Sequence, residues 1–116
     1  LSFKAHVDIP REISARFGGI CVMTLGAAGA VAFAPGSGLS VSSLPISPID
    51  TVGAGDAFVG DLAAAFHKGA DLPAALHYAS VGAGICCTKI GAQTSLPDAT
   101  AIEAQLAELA PPSEIN

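Results

Sequence analysis

Basic residues are scarce in this chain. Of 116 residues only five are lysine or arginine, against ten acids, giving a formal net charge of -5. Lys4, Arg11, Arg16, Lys68 and Lys89 form no cluster. Without a basic face, nucleic acid is excluded as a partner. A polyanionic ligand would have to rely on backbone amides and a metal ion. Charge of either sign is sparse, at 13% of residues, while 51% are hydrophobic, so little of the chain reads as disordered. No apolar run reaches the roughly 20 residues that span a bilayer, and no membrane partner is expected. No secretory signal is visible. The chain opens on Leu1, so the natural start is expected upstream. The three cysteines, Cys21, Cys86 and Cys87, are odd in number and lack a C-x-x-C spacing. That argues against a disulfide framework or a zinc site. Buried, reduced thiols of a cytoplasmic protein are the simpler expectation.

The length suffices for one modest domain with a core. Asp8 is placed to cap a short helix with Pro10 in its first turn, ending at Gly18-Gly19. The apolar run Ile20–Leu25 reads as a strand buried on both faces, of the parallel-sheet type. Gly26-Ala27-Ala28-Gly29 turns the chain into a second strand, Ala30–Ala34. Pro35-Gly36-Ser37-Gly38 stops that strand, and Leu39–Leu44 suits a third, half-exposed one. From Gly55 the period becomes helical. Phe58, Leu62 and Phe66, with Val59 and Ala63, are predicted to share one apolar face, and Gly69 to stop the helix. Asp71 caps the next helix, with Pro73 in its first turn and Leu76, Ala79, Ala83 and Cys87 at near-helical spacing toward Gly91. Its Gly82 and Gly84 predict close approach to another backbone. A last helix starts at Asp98, or at Thr100, where Thr100-x-x-Glu103 fits a capping box. Ile102, Leu106 and Leu109 form its stripe. Pro111-Pro112 ends it, and the tail is expected to fray. Strands followed by helices predict part of an α/β sandwich.

The segment Asp50-Thr51-Val52-Gly53-Ala54-Gly55-Asp56-Ala57-Phe58 carries the chemistry. It sets a glycine-rich turn directly before a helix and an acid at the helix start. Such a turn leaves several backbone N–H groups unsatisfied, and with the helix dipole they make an anion site. An acid there repels a phosphate unless a metal ion or a chemical step requires it. Read alone, the string Gly53-Ala54-Gly55-Asp56 is equally a tight turn with an N-terminal acid.

The full segment resembles the C-terminal signature of the phosphofructokinase-B family, the ribokinase-like carbohydrate kinases. Val22-Met23-Thr24-Leu25-Gly26-Ala27-Ala28-Gly29 resembles that family's strand and nucleotide-side turn. Gly91-Ala92-Gln93-Thr94-Ser95-Leu96-Pro97 resembles a later segment, most of all in the family's ribokinase branch. The likeness runs over residues 20–109. It implies the C-terminal part of a three-layer α/β/α sandwich spanning residues 1–116 as a single partial domain, with the N-terminal sugar-binding and lid portion absent. It also implies ATP-dependent phosphorylation of a sugar hydroxyl. Asp56 would be the catalytic base, and the Gly53, Ala54 and Gly55 amides an anion hole for the transferring phosphoryl group. The loose transition state of phosphoryl transfer asks more for positioning than for base strength. Thr24, Gly26 and Gly29 would lie beside the nucleotide, although they also suit a plain strand-to-turn corner. Ser80 would lie near adenine, where the family often carries a bulkier polar residue. Asp50 is either a turn acid bonding the N–H two residues on or, by resemblance, part of a monovalent cation site, usually potassium. That site would use the Val52 carbonyl, Gly91, Ser95 and the Cys86 carbonyl. ATP, Mg2+ and K+ are the implied cofactors.

The implied partners are a small sugar or nucleoside, with ribose first, and the missing N-terminal portion or another chain. Uncovered sheet would otherwise favour a homo-oligomer. The competing readings are a truncated, non-catalytic nucleotide-binding or assembly module and a purely structural α/β fragment. Asp61 reads as a solvated or locally paired acid, His67 and His77 as structural, Cys86 and Cys87 as core thiols, and Phe58 and Phe66 as core residues.

Overall fold

The computed structural model describes residues 3–45, 53–88 and 98–115. Among these, helix α1 (Phe3–Phe17) leads into strand β1 (Cys21–Thr24) and a 3-10 turn at Gly26–Ala28. Strands β2 (Ala30–Ala34) and β3 (Ser37–Val41) follow, then helices α2 (Ala54–His67), α3 (Leu72–Cys86) and α4 (Ala99–Gln105). A short strand, β4 (Ser113–Glu114), closes the described chain. The sheet runs β1-β2-β3-β4, each strand antiparallel to its neighbour.

Alternation along β2 decides the layering. Val31 and Phe33 point to one face and join Val7 of α1. Ala30 and Ala32 point to the other and join Phe58, Leu76, Val81 and Ile102 from the three later helices. Successive strand residues face opposite sides, so the sheet has α1 on one face and α2, α3 and α4 on the other. The expected three-layer α/β/α arrangement is therefore present.

Several local expectations change. Helix α1 begins at Phe3, so Asp8 is not its cap. Asp8 lies on the exposed side, 4.0 Å from Arg11. Pro10 sits inside the helix, where a proline costs about 3 kcal/mol. Its ring is fully buried together with Ser14, one turn from Val7, and packing of this face offsets the break. The Ser14 hydroxyl donates to the Gly19 carbonyl at 2.6 Å. Arg11 lies over the Phe33 ring at 5.1 Å.

The run Ile20–Leu25 is not a strand buried on both faces. Ile20 is 52% exposed, and among the described residues β1 pairs with β2 alone, antiparallel, at the edge of the sheet. The fully buried strand is β2, which has a strand on each side and helices on both faces. Pro35-Gly36 alone forms the hairpin loop, because Ser37 and Gly38 already pair with Ala34 and Phe33.

On α2 the buried residues are Ala57, Phe58 and Ala65. Phe58 is core, as expected, whereas Val59 is exposed and Phe66 partly so, at 37%. The helix is apolar nearly all round, so its pattern marks no single face. Asp71 caps α3 by accepting from the Ala74 N–H at 2.9 Å. Helix α4 is capped by Asp98, not Thr100, through the Ala101 N–H at 2.8 Å. Gly82 and Gly84 do mark close approach, but to side chains. A methyl group at Gly82 would meet the Asp61 carboxylate, and one at Gly84 would meet Leu44. The tail does not fray. Leu39 and Ser40 pair with Glu114 and Ser113, and the Ile115 N–H donates to the Gly38 carbonyl at 2.8 Å.

Candidate functional site

Helix α2 starts at a glycine, which has no side chain of its own to cap the helix. Gly53 occupies the N-cap position at φ 85°, ψ -5°, a left-handed conformation that costs a residue with a Cβ about 1 kcal/mol or more. The Gly53 carbonyl accepts the Ala57 N–H at 2.9 Å, which starts the helical ladder. The cap residue itself offers no side-chain acceptor, and backbone N–H groups in a first helical turn are the groups that can receive an anion. Asp56 lies in the same first turn and is exposed.

A cavity of about 550 Å³ opens beside this helix end, with Ala54 and Gly55 in its wall. The opposing wall comes from the end of β1 and the turn after it: Thr24, Gly26 and Gly29 all line it. The turn is held from within, the Leu25 N–H donating to the Gly29 carbonyl at 2.7 Å. It is also held from outside, the Ser43 hydroxyl donating to the Gly26 carbonyl at 2.9 Å. Gly29 has φ 97°, and a Cβ there would collide with the Val41 backbone carbonyl. The glycine is therefore required by sheet packing, whatever it does for a ligand.

Helix α3 supplies the third wall. Ser80 lines the cavity, is 6% exposed, and its buried hydroxyl has no hydrogen-bond partner. An orphaned buried polar atom costs roughly 1–3 kcal/mol, and a ligand in the cavity would satisfy it. The Asp61 carboxylate has the second orphaned atom, Oδ2, against Gly82 between α2 and α3. Burial raises its pKa from 3.8 to about 6. Asp61 is thus a half-buried acid at a helix contact, which overturns its reading as a solvated or locally paired acid.

Six of the residues singled out in the sequence therefore meet at one cavity: Thr24, Gly26, Gly29, Ala54, Gly55 and Ser80. Gly53 and Asp56 belong to the adjoining helix end. Cys86 is fully buried in the core. Asp50, Val52, Gly91 and Ser95 lie outside the described residues. Among those described, no group of three or more His, Cys, Asp or Glu side chains is arranged to hold a metal ion. Sequence reasoning missed Ser43, Leu44, Pro45 and Cys87 as cavity residues, and also Ala83 and Gly84. The signal for the last pair was present, since a small residue one turn beyond Ser80 leaves room for a ligand. Phe58, read only as core, lines the cavity as well.

An α/β layer with a strand-end turn facing a glycine-opened helix start can receive a phosphorylated ligand. The comparisons with known proteins agree with that class. The model of the pfkB family carbohydrate kinases matches residues 7–99, most of the chain, and the protein belongs to that family. It is 38% identical over 63 residues to the ribokinase of Bacillus subtilis, covering 54% of this chain and 22% of that protein. Its structure is similar to that of Vibrio cholerae fructokinase bound to fructose, ADP and calcium ion. There the TM-score is 0.76 and the identity 36%, over 86% of this chain and 35% of the other. It is also similar to Arabidopsis thaliana ribokinase complexed with ribose and ATP, at a TM-score of 0.71 and 31% identity, over 73% of this chain and 28% of the other. The chain spans about a third or less of the length of each of these relatives.

Proposed function

We propose that this chain supplies the nucleotide and phosphoryl-transfer portion of an ATP-dependent sugar kinase of the cytoplasm. The observation that carries the reading is the glycine start of α2, whose Ala54 and Gly55 open onto the cavity lined by Ser80. The bound nucleotides and sugars of the fructokinase and ribokinase structures support the substrate class.

In this reading the nucleotide lies between the Thr24–Gly29 corner and α3, with the Ser80 hydroxyl hydrogen-bonded to it. The γ-phosphate meets the Gly53, Ala54 and Gly55 amides, donors fixed before the reaction and aimed where charge develops. Mg2+ accompanies the phosphates and offsets their charge. Asp56 accepts the proton of the sugar hydroxyl as that oxygen attacks the γ-phosphorus and ADP departs. Its exposure leaves it open to an incoming hydroxyl. A monovalent cation, potassium first, is assigned to Asp50, the Val52 carbonyl, Gly91, Ser95 and the Cys86 carbonyl. Ribose is the first sugar expected, ahead of fructose, ketodeoxygluconate and nucleosides.

The test is to incubate the protein with Mg-ATP, potassium and a panel of sugars and nucleosides, and to follow phosphorylated product by mass spectrometry. One phosphorylated sugar, lost in Asp56→Asn by about 10²–10⁴-fold, is the expected result. Turnover in Asp56→Asn within tenfold of the parent would remove Asp56 as the base. The short span of the chain relative to its relatives favours one second reading, a nucleotide-binding or assembly module without catalysis. Mg-ATP binding with no product from any sugar would select it.

A further inference from the structure

The turn at Gly26–Ala28 puts Gly26 and Ala27 in the cavity wall but has little of its own to anchor it. None of its residues is buried, and a glycine and two alanines offer the core at most a methyl group each. The Ala28 N–H donates to the Leu25 carbonyl and the Gly29 N–H to the Gly26 carbonyl, both at 3.1 Å. These bonds set the shape of the turn, not its distance from the other walls. Ser43 acts on that distance. Its hydroxyl donates to the Gly26 carbonyl at 2.9 Å, from 17 residues away in the chain. Ser43 is itself fixed on both sides. Before it, Val41 of β3 pairs with Ala30 of β2. After it, Leu44 is 5% exposed and rests against Gly84 of α3, where an added methyl group would come within 2.8 Å of it. Gly26, Ser43, Leu44 and Gly84 all line the cavity. The segment from Val41 to Leu44 is therefore a strut between sheet and α3, and the Ser43 hydroxyl ties the turn to it.

We propose that Ser43 is a positioning residue for the nucleotide, its hydroxyl fixing the Gly26–Gly29 turn at the distance from α3 that the ligand requires. The inference rests on the nucleotide reading of the cavity. Ser43 acts through the Gly26 carbonyl, and no contact between its own side chain and the ligand is needed. Without the hydroxyl the turn visits other positions, and the fraction of molecules holding the cavity at its binding width falls. Apparent affinity falls with that fraction.

Calorimetry with Mg-ATP compares the parent with Ser43→Ala, Ser43→Thr and Ser42→Ala, each checked for folding by thermal melting. Hydrogen exchange is followed in parallel at the Leu25 and Gly29 amides, both bonded within the turn. Loss of one neutral hydrogen bond is expected to weaken Mg-ATP binding by Ser43→Ala about three- to tenfold, with faster exchange at both amides. Ser43→Thr keeps the hydroxyl and is expected to restore affinity and exchange. Ser42→Ala alters an exposed neighbour and is expected to change neither. In a variant folded at the assay temperature, a loss of global stability alone leaves the affinity where it was. Parent affinity in Ser43→Ala overturns the proposal, as does a Ser43→Thr that binds as weakly as Ser43→Ala. A Ser43→Ala that no longer folds overturns it too, because Ser43 then serves the fold rather than the cavity. A parent that binds no Mg-ATP overturns the nucleotide reading itself, and this proposal with it.

Discussion

Asp61 and Ser80 hold the two buried side-chain polar atoms left without a partner among the described residues, and their surroundings give them different meanings. Ser80 faces a cavity that a ligand can fill. Asp61 faces Gly82, and its charge is felt by Tyr78 on α3. Burial raises the Tyr78 pKa first, and the charges of Asp61, Glu103 and Asp98 add to it. Because the Asp61 pKa rises from 3.8 to about 6, the folded chain holds that proton more tightly than the unfolded chain. Its contribution to stability is complete below the unfolded value and is lost as pH rises through about 6. Solvent screening of the exposed part leaves an effect on the order of 1 kcal/mol. Asp61→Asn is expected to raise the melting temperature near neutral pH by about a few degrees and to flatten that slope. An unchanged slope in a pH series of thermal melts would assign it to other groups. Gly29 gives a second residue-level prediction. With φ 97° and the Val41 carbonyl in the path of a Cβ, Gly29→Ala should cost about 1–3 kcal/mol in urea unfolding without any nucleotide present. Unchanged stability with nucleotide binding lost would make this glycine a ligand residue only.

At the scale of elements, local chemistry was legible and tertiary context was not. Asp71 was readable as a cap because Pro73 follows it in the first turn, and Asp98 as one of two candidates. Asp71→Ala and Asp98→Ala should each destabilise by about 1 kcal/mol, and chemical denaturation within error of the parent would contradict that. The glycine-rich start of α2 was legible for the same reason: only a residue without a Cβ enters the Gly53 conformation easily. Gly53→Val should therefore lower both stability and nucleotide affinity, and calorimetry on a variant shown to be folded separates the two. Helix α1 was misread because Pro10 is a strong start signal. Burial of Pro10 and Ser14 beside Val7 outweighs that signal, and burial depends on a sheet formed later in the chain. Strand β1 was misread because an apolar run reports capacity for burial, not the neighbours available. The β4 pairing was invisible in a two-residue segment behind two prolines. Of the candidate site, the anion-receiving turn and the Thr24–Gly29 corner were legible as motifs. The Cys87 wall was not, because an α-helical thiol reads as core until the cavity beside it is seen.

At the scale of the whole molecule, several large apolar side chains among the described residues are exposed. Ile9, Ile13 and Phe17 follow helical spacing on the outer side of α1, Phe17 being 78% exposed, and Ile20 and Val59 add to it. The edge of β1 carries no charged residue within Cys21–Thr24. Such a surface favours association. The chain is expected to self-associate with rising concentration in light scattering, and less so as Phe17→Glu; a monodisperse monomer at high concentration would contradict this. No helix among the described residues is long and apolar enough to cross a membrane. Calorimetric titration of the reduced protein with Mg-ATP shows whether the cavity where Thr24, Gly26, Gly29, Ala54, Gly55 and Ser80 meet holds a nucleotide. One site per chain is expected, with affinity reduced in Ser80→Trp, whose indole would fill the cavity, and unchanged in Asp71→Ala. Absence of binding by a folded protein, or equal binding by Ser80→Trp, would contradict it.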